Sequence, residues 1–118
     1  MNFLNLLKRM FPILIDLKKE EEYKVLSEDF IRKNADKVEW VFVCEHCKLS
    51  EDFLREFNHK VNWFQASRYQ KLSESLIREF SKKVYWHFIC KYQILSEDFI
   101  REFQDRVTAV GWKTIKNY

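Results

Sequence analysis

A 23-residue period runs through this chain without a gap, and no other feature limits its fold so tightly. Leu26, Leu49, Leu72 and Leu95 share one column, and Ser27, Ser50, Ser73 and Ser96 share the next. Arg32/Arg55/Arg78/Arg101 and Val38/Val61/Val84/Val107 hold in the same way, and Trp40, Trp63 and Trp86 recur through three copies. Self-similarity at a fixed period marks a stacked array, in which each short unit buries its apolar face only against its neighbours. Three full copies span 26–48, 49–71 and 72–94. A fourth, 95–118, opens as Leu-Ser-Glu-Asp-Phe-Ile-Arg-Glu-Phe and then departs. Ala109 takes the tryptophan column, Gly111 appears, and Trp112 arrives three positions late. It reads as a closing cap. Residues 1–25 read as a degenerate opening cap, with Leu17 in the tryptophan column and Phe11 and Ile15 in the Phe57 and Val61 columns. The expectation is one helical-repeat domain over 1–118.

Two short helices are predicted per unit. A single Gly and a single Pro leave little material for the tight turns of a sheet. Ser50 suits an N-cap, with Glu51 and Asp52 in the first turn where the helix dipole favours negative charge. Phe53, Leu54, Phe57 and Val61 then form one apolar stripe. Glu51 precedes Arg55 by four residues and Glu56 precedes Lys60 by four, the favourable order for ion pairs along a helix. At Val61-Asn62 the phase breaks. Asn62 is the expected cap of a second helix from Trp63 to about Lys71, whose inner face carries Trp63, Ala66, Ser67 and Gln70. Helices of about ten residues are marginal alone. Stacking must hold them, with the Trp and Phe columns filling the space between units. The predicted class is therefore all-α, tandem two-helix repeats stacked as a short solenoid.

Composition excludes several functions. Net charge is +3, from 21 basic and 18 acidic residues, too balanced to imply nucleic acid on charge alone. Three cysteines and no evident secretory signal point to a reduced, cytoplasmic chain. The opening run MNFLNLLKRMFPILIDL is interrupted by Lys8, Arg9, Pro12 and Asp16, and it is too short and too charged to span a bilayer. No membrane association is expected.

Reactive constellations are scarce. Cys44 and Cys47 share a helix face, but a structural zinc site needs two further ligands. Cys90 falls in the Cys44 column two units on, about 20 Å away if helices pack about 10 Å apart. Ser67 fills that column between them, so the column asks for a small buried side chain. His46, His59 and His87 occupy three different columns and form no triad. The only glycine, Gly111, forms no phosphate-binding loop. No catalytic residue, cofactor or metal is expected, and the chain is not read as an enzyme.

The columns that differ between units say more about binding. On the second helix the outward positions read Val41, Phe42, Glu45, His46; then Phe64, Gln65, Arg68, Tyr69; then His87, Phe88, Lys91, Tyr92. Mixed aromatic and basic side chains are what interface cores favour. The predicted partner-binding set is Phe64, Arg68, Tyr69, Tyr85, His87, Phe88, Lys91 and Tyr92, with Asn62, His59 and Lys82 as variable neighbours. A second set, Arg55, Lys60, Arg78, Lys83 and Arg101, would line up along a stack and could follow phosphates. The opposing expectation for that ladder is a solvated, salt-bridged face.

The pattern Leu-Ser-Glu-Asp-Phe-Ile-Arg-Glu-Phe (95–103), with Lys-Val-x-Trp (60–63) and Cys-Lys-Tyr-Gln (90–93), resembles a short tandem helical repeat of giant DNA virus proteins and of some phage and bacterial proteins. The likeness covers residues 23 to about 107. It implies a non-catalytic adaptor or inhibitor in an infected cell, such as one that blocks a host defence nuclease. The expected partner is a protein or a protein–nucleic acid complex. Direct RNA binding is one alternative, with Phe64, Phe88 and Tyr92 as stacking platforms. The other is a self-associating structural protein that pairs through its ends, at residues 3–15 or 107–118.

Overall fold

The computed structural model of the protein describes residues 27–110. All regular structure among these residues is helical: α1 (Glu28–Lys33), α2 (Trp40–His46), α3 (Glu51–Glu56), α4 (Trp63–Tyr69), α5 (Glu74–Glu79), α6 (Trp86–Tyr92), α7 (Glu97–Glu102) and α8 (Gln104–Ala109). The chain is all-α and built from tandem two-helix repeats. It separates into two compact units between Asn62 and Trp63. The opening cap, and the part of the closing cap beyond Val110, lie outside the described residues.

Each first helix starts as its serine dictates. The hydroxyls of Ser27, Ser50, Ser73 and Ser96 accept the backbone N–H of Phe30, Phe53, Leu76 and Phe99, satisfying a donor that has no partner within the helix. These helices are shorter than the apolar stripe suggested. α3 stops at Glu56 and α5 at Glu79, well before Val61 and Val84. The carbonyl of Phe57 accepts the N–H groups of both Lys60 and Val61, and that of Phe80 accepts those of Lys83 and Val84. One isolated turn thus returns each valine to the core, where both are buried. In the fourth copy the equivalent bonds, from Arg106 and Val107 to Phe103, continue as α8. The second helix also stops early, at Tyr69 and Tyr92.

In the first unit, Ile31, Val43, Phe53 and Leu54 are wholly buried. Burying a side chain of this size contributes about 1.5–3 kcal/mol. Trp40 lies against the first helix of the following repeat, its ring 6.1 Å from Phe53 and 5.6 Å from Phe57. Its indole N–H donates to the Ala35 carbonyl at 2.9 Å. In the second unit α4 packs on α6, and α6 on α8. Trp63 meets Phe80 at 4.9 Å, Trp86 meets Phe103 at 5.0 Å, and the Trp86 N–H donates to the Ser81 carbonyl at 3.0 Å. The tryptophans therefore do more than fill space, because the same ring that packs on the next repeat also ties down its own loop.

The charged groups differ from expectation. The Glu51-to-Arg55 spacing recurs at Glu28–Arg32 and Glu74–Arg78, which predicts the same pair in those copies. Instead Arg32 reaches Glu56 at 3.0 Å and Arg78 reaches Glu102 at 2.7 Å, each in the following repeat. Glu28 and Glu74 accept from the hydroxyls of Ser50 (2.9 Å) and Ser96 (3.0 Å), and also from their backbone N–H groups. Lys60, expected against Glu56, pairs with Asp36 at 2.7 Å. A carboxylate that accepts a serine hydroxyl and its N–H is held in a defined place. A solvated i,i+4 pair offers only a few tenths of a kcal/mol. The i,i+4 geometry persists at Arg55–Glu51 (3.7 Å) and Arg101–Glu97 (3.6 Å).

Gln93 is a heavily committed buried polar side chain of the second unit. Its amide nitrogen donates to the carbonyls of Ser67 (3.0 Å) and Gln70 (2.8 Å), and its oxygen accepts from the Leu72 N–H (2.9 Å). It closes the end of α4 from one repeat away. Gln93→Ala removes three buried hydrogen bonds to the backbone and is expected to cost about 3 kcal/mol. Urea unfolding should show this as a lowered midpoint with an unchanged slope. The Arg78 guanidinium, hydrogen-bonded to Glu102, holds that carboxyl below its ordinary value. A carboxyl depressed in the folded state contributes stability above its unfolded pKa, and loses it as the pH falls through the folded value. The melting temperatures of wild type and Glu102→Gln should thus differ at neutral pH and converge in acid. A gap that persists in acid would exclude charge as its source.

Candidate partner-binding face

The helical period fixes which side chains of α4 and α6 face outward. Trp63, Ala66, Ser67 and Gln70 are buried, as are Trp86, Ile89, Cys90 and Gln93. The residues between them necessarily point away. The packing of α4 on α6 brings the two outward rows together. Phe64 meets Tyr85 edge-on at 5.3 Å and Phe88 edge-on at 4.9 Å. Phe88 continues to Tyr92 at 6.0 Å and to His87 at 5.6 Å. The Arg68 guanidinium lies over Tyr69 (5.0 Å), Phe88 (5.7 Å) and Tyr92 (6.0 Å), and the Lys91 ammonium lies over Tyr92 at 5.4 Å. All eight side chains of the predicted partner-binding set thus form one connected cluster. Lys82 sits exposed in the preceding loop, outside it.

This cluster remains open to solvent. Tyr85 is 50% exposed, and Phe64, Tyr69 and Tyr92 are each more than 40% exposed. Such edge-to-face and cation–π contacts contribute about 0.5–1.5 kcal/mol each, enough to orient the rings. No Asp or Glu occurs between Trp63 and Leu72, or between Val84 and Leu95, whereas Arg68, Lys71 and Lys91 do. No described carboxylate pairs with Arg68 or Lys91.

Beside the rings, between the C-terminal ends of α4 and α6, lies a cleft of about 500 Å³ lined by Arg68, Tyr69, Lys71, Leu72, Tyr92 and Ile94 among others. Ile94 is 87% exposed, the most exposed of the large apolar side chains in the described residues. It was not among the residues picked from sequence. Its column holds Lys48 and Lys71 in the two preceding copies, so the change from lysine to isoleucine was the available signal.

The basic ladder stands differently. Arg78 lies against Glu102, Lys60 against Asp36, Arg55 against Glu51 and Asp52, and Arg101 against Glu97 and Asp98. Lys83 is exposed. Arg106, in the column of Lys60 and Lys83, donates to the Ser81 carbonyl at 2.8 Å and covers the Trp86 ring at 5.8 Å. Paired charges of this kind cancel much of one another's field.

In the first unit the equivalent outward row carries Phe42 stacked on His46 at 6.4 Å, with Glu45 3.6 Å from His46. Cys44 and Cys47 are buried beneath it. Among the described residues no three His, Cys, Asp or Glu side chains gather in a way that could hold a metal ion. The small-residue column has a further use. The Asn62 backbone hydrogen-bonds the Cys44 thiol, and the Tyr85 N–H donates to Ser67 Oγ at 3.0 Å. Tyr85 and Glu39, like the asparagine expected to cap α4, stand just before a second helix, but neither caps it with its side chain. The preceding repeat's Ser67 takes the Tyr85 N–H instead. Among the described residues no helix is long and apolar enough to cross a membrane. No known protein family, characterised protein or solved structure matches the chain.

Burial pushes the thiols of Cys44 and Cys90 up to about 11 and that of Cys47 up to about 12. The thiolate is the nucleophile, so at neutral pH these groups are inert while folded. Iodoacetamide is expected to modify them only after urea is added. Rapid labelling of the native protein, read by mass spectrometry, would contradict that burial.

Proposed function

We propose that this chain is a non-catalytic helical-repeat module that grips a protein, or a protein–nucleic acid complex, through the outer face of α4 and α6. The observation that carries this reading is the Arg68 guanidinium lying over three aromatic rings with no carboxylate partner among the described residues. Aromatic and arginine side chains that are oriented before binding lose little freedom when a partner covers them. The resemblance of the repeat to giant-virus and phage repeats supports an adaptor or inhibitor setting, of which blocking a host defence nuclease is the concrete form. Direct RNA binding along the basic ladder has less support, because Arg55, Lys60, Arg78 and Arg101 already face carboxylates.

The test is capture from lysate of the source cells, with and without ribonuclease, by wild type and by a Phe88→Ala, Lys91→Ala double variant. The double variant should lose the captured protein while keeping its helical circular dichroism. Retained capture would remove the face from consideration. Capture abolished by ribonuclease, with a steep loss of affinity as salt rises, would replace this reading with the RNA-binding one.

A further inference from the structure

We infer that the cleft at the C-terminal ends of α4 and α6 takes an acidic segment of a partner protein, one in which an apolar side chain is flanked by carboxylates. This rests on the binding face proposed above and gives its partner a chemistry. Three observations carry it.

The first is charge. Arg68 and Lys71 line the cleft, Lys91 lies over the ring of Tyr92 that also lines it, and no acidic side chain is among the lining residues. Helix C-termini carry partial negative charge, at most about half an elementary charge each, so three full positive charges outweigh the two ends. Part of that negative charge is already met by the Gln93 amide on the Ser67 and Gln70 carbonyls.

The second is the state of Arg68. Its central carbon lies 5.0–6.0 Å from the centres of three rings, while its N–H groups donate to no described residue. A guanidinium fixed in this way presents the planar fork that a carboxylate accepts in bidentate fashion. The same arrangement disfavours an unpaired nucleobase. Arg68 lies over one face of Tyr69, Phe88 and Tyr92, so a base stacking there competes with it, and Phe64 is engaged edge-to-face with Phe88.

The third is Ile94. A phosphate backbone gains nothing from an isoleucine that is 87% exposed where earlier repeats carry lysine. An apolar side chain laid against Ile94 and Leu72 gains by leaving water.

The experiment is fluorescence anisotropy on the full chain with a labelled peptide that sets one leucine among glutamates. The same peptide with glutamines, and a labelled single-stranded oligouridine, serve as the other probes. Arg68→Gln is expected to weaken the acidic peptide by about tenfold or more, the usual worth of a charged hydrogen-bonded pair. Ile94→Lys restores the lysine of its own repeat column and leaves the fold intact by circular dichroism. It adds a positive charge, so attraction by charge alone predicts tighter binding. Apolar contact at Ile94 predicts weaker binding, and that is the expected result. Equal binding of the glutamate and glutamine peptides, tightening by Ile94→Lys, or tighter binding of oligouridine than of the acidic peptide would each overturn the inference. If partner capture depends on Phe88 and Lys91 while no peptide binds, the acidic specificity fails and the binding face stands. If capture is also indifferent to that double change, both fail.

Discussion

Helices of six and seven residues do not persist alone in water, and this constraint governs the rest of the structure. Each repeat therefore leaves something that the next completes. Trp40 finds Phe53 and Phe57 one repeat on, and Trp86 finds Phe99 and Phe103. Glu28 finds Ser50, Glu74 finds Ser96, and Gln93 closes the end of the helix before it. These contacts span 13 to 26 positions of sequence, for instance 22 from Glu28 to Ser50, so they bind one copy to another instead of one turn to the next. Periodic sequence is the economical way to meet such a requirement, since the same solution recurs within each of the two units.

The sequence disclosed the parts of this scheme that are local or strictly repeated. Ser27, Ser50, Ser73 and Ser96 cap as expected, and the face carrying Trp63, Ala66, Ser67 and Gln70 is buried. The eight outward residues of α4 and α6 could be named from helical period alone, because the period leaves them nowhere else to point. The polar partners could not. A glutamate four before an arginine satisfies an i,i+4 pair, yet the same periodic residues also satisfy a bond to the following copy. Sequence cannot rank the two, since stacking distance decides between them. Helix ends were overestimated for a related reason. Val61 and Val84 are buried at helical spacing, but a separate turn puts them there. Ile94 is hard to single out from sequence because it is one departure in a column that otherwise holds lysine in the two preceding copies.

The distribution of charge follows from the same logic. Carboxylates cluster on the first helices and their turns, where Ser50 and Ser96 need them as acceptors and Arg32 and Arg78 need them as partners. The segments 63–72 and 84–95 contain none. Once the acids are committed to the joints between repeats, the cations on α4 and α6 are left with rings for company. A cation over a ring keeps most of its hydration and its capacity to pair, which a cation in a salt bridge does not. The ladder and the outer face therefore differ in what they can offer a partner, although both are rich in basic residues.

This difference decides which surface is free to specify a partner. Changing Arg78 or Glu102 disturbs a junction between repeats, so those positions answer to the fold first. Among the described residues, Arg68, Lys91 and Ile94 make no ion pair between repeats. Arg68 lies over Phe88 and Tyr92 of the following repeat, Lys91 lies over Tyr92, Ile94 faces solvent, and their identities vary between copies of an otherwise strict repeat. A position that carries an isoleucine into water, or holds an arginine over three rings, has a cost in solubility and side-chain freedom. On the binding reading proposed above, covering the isoleucine and pairing the arginine release free energy when a second molecule arrives.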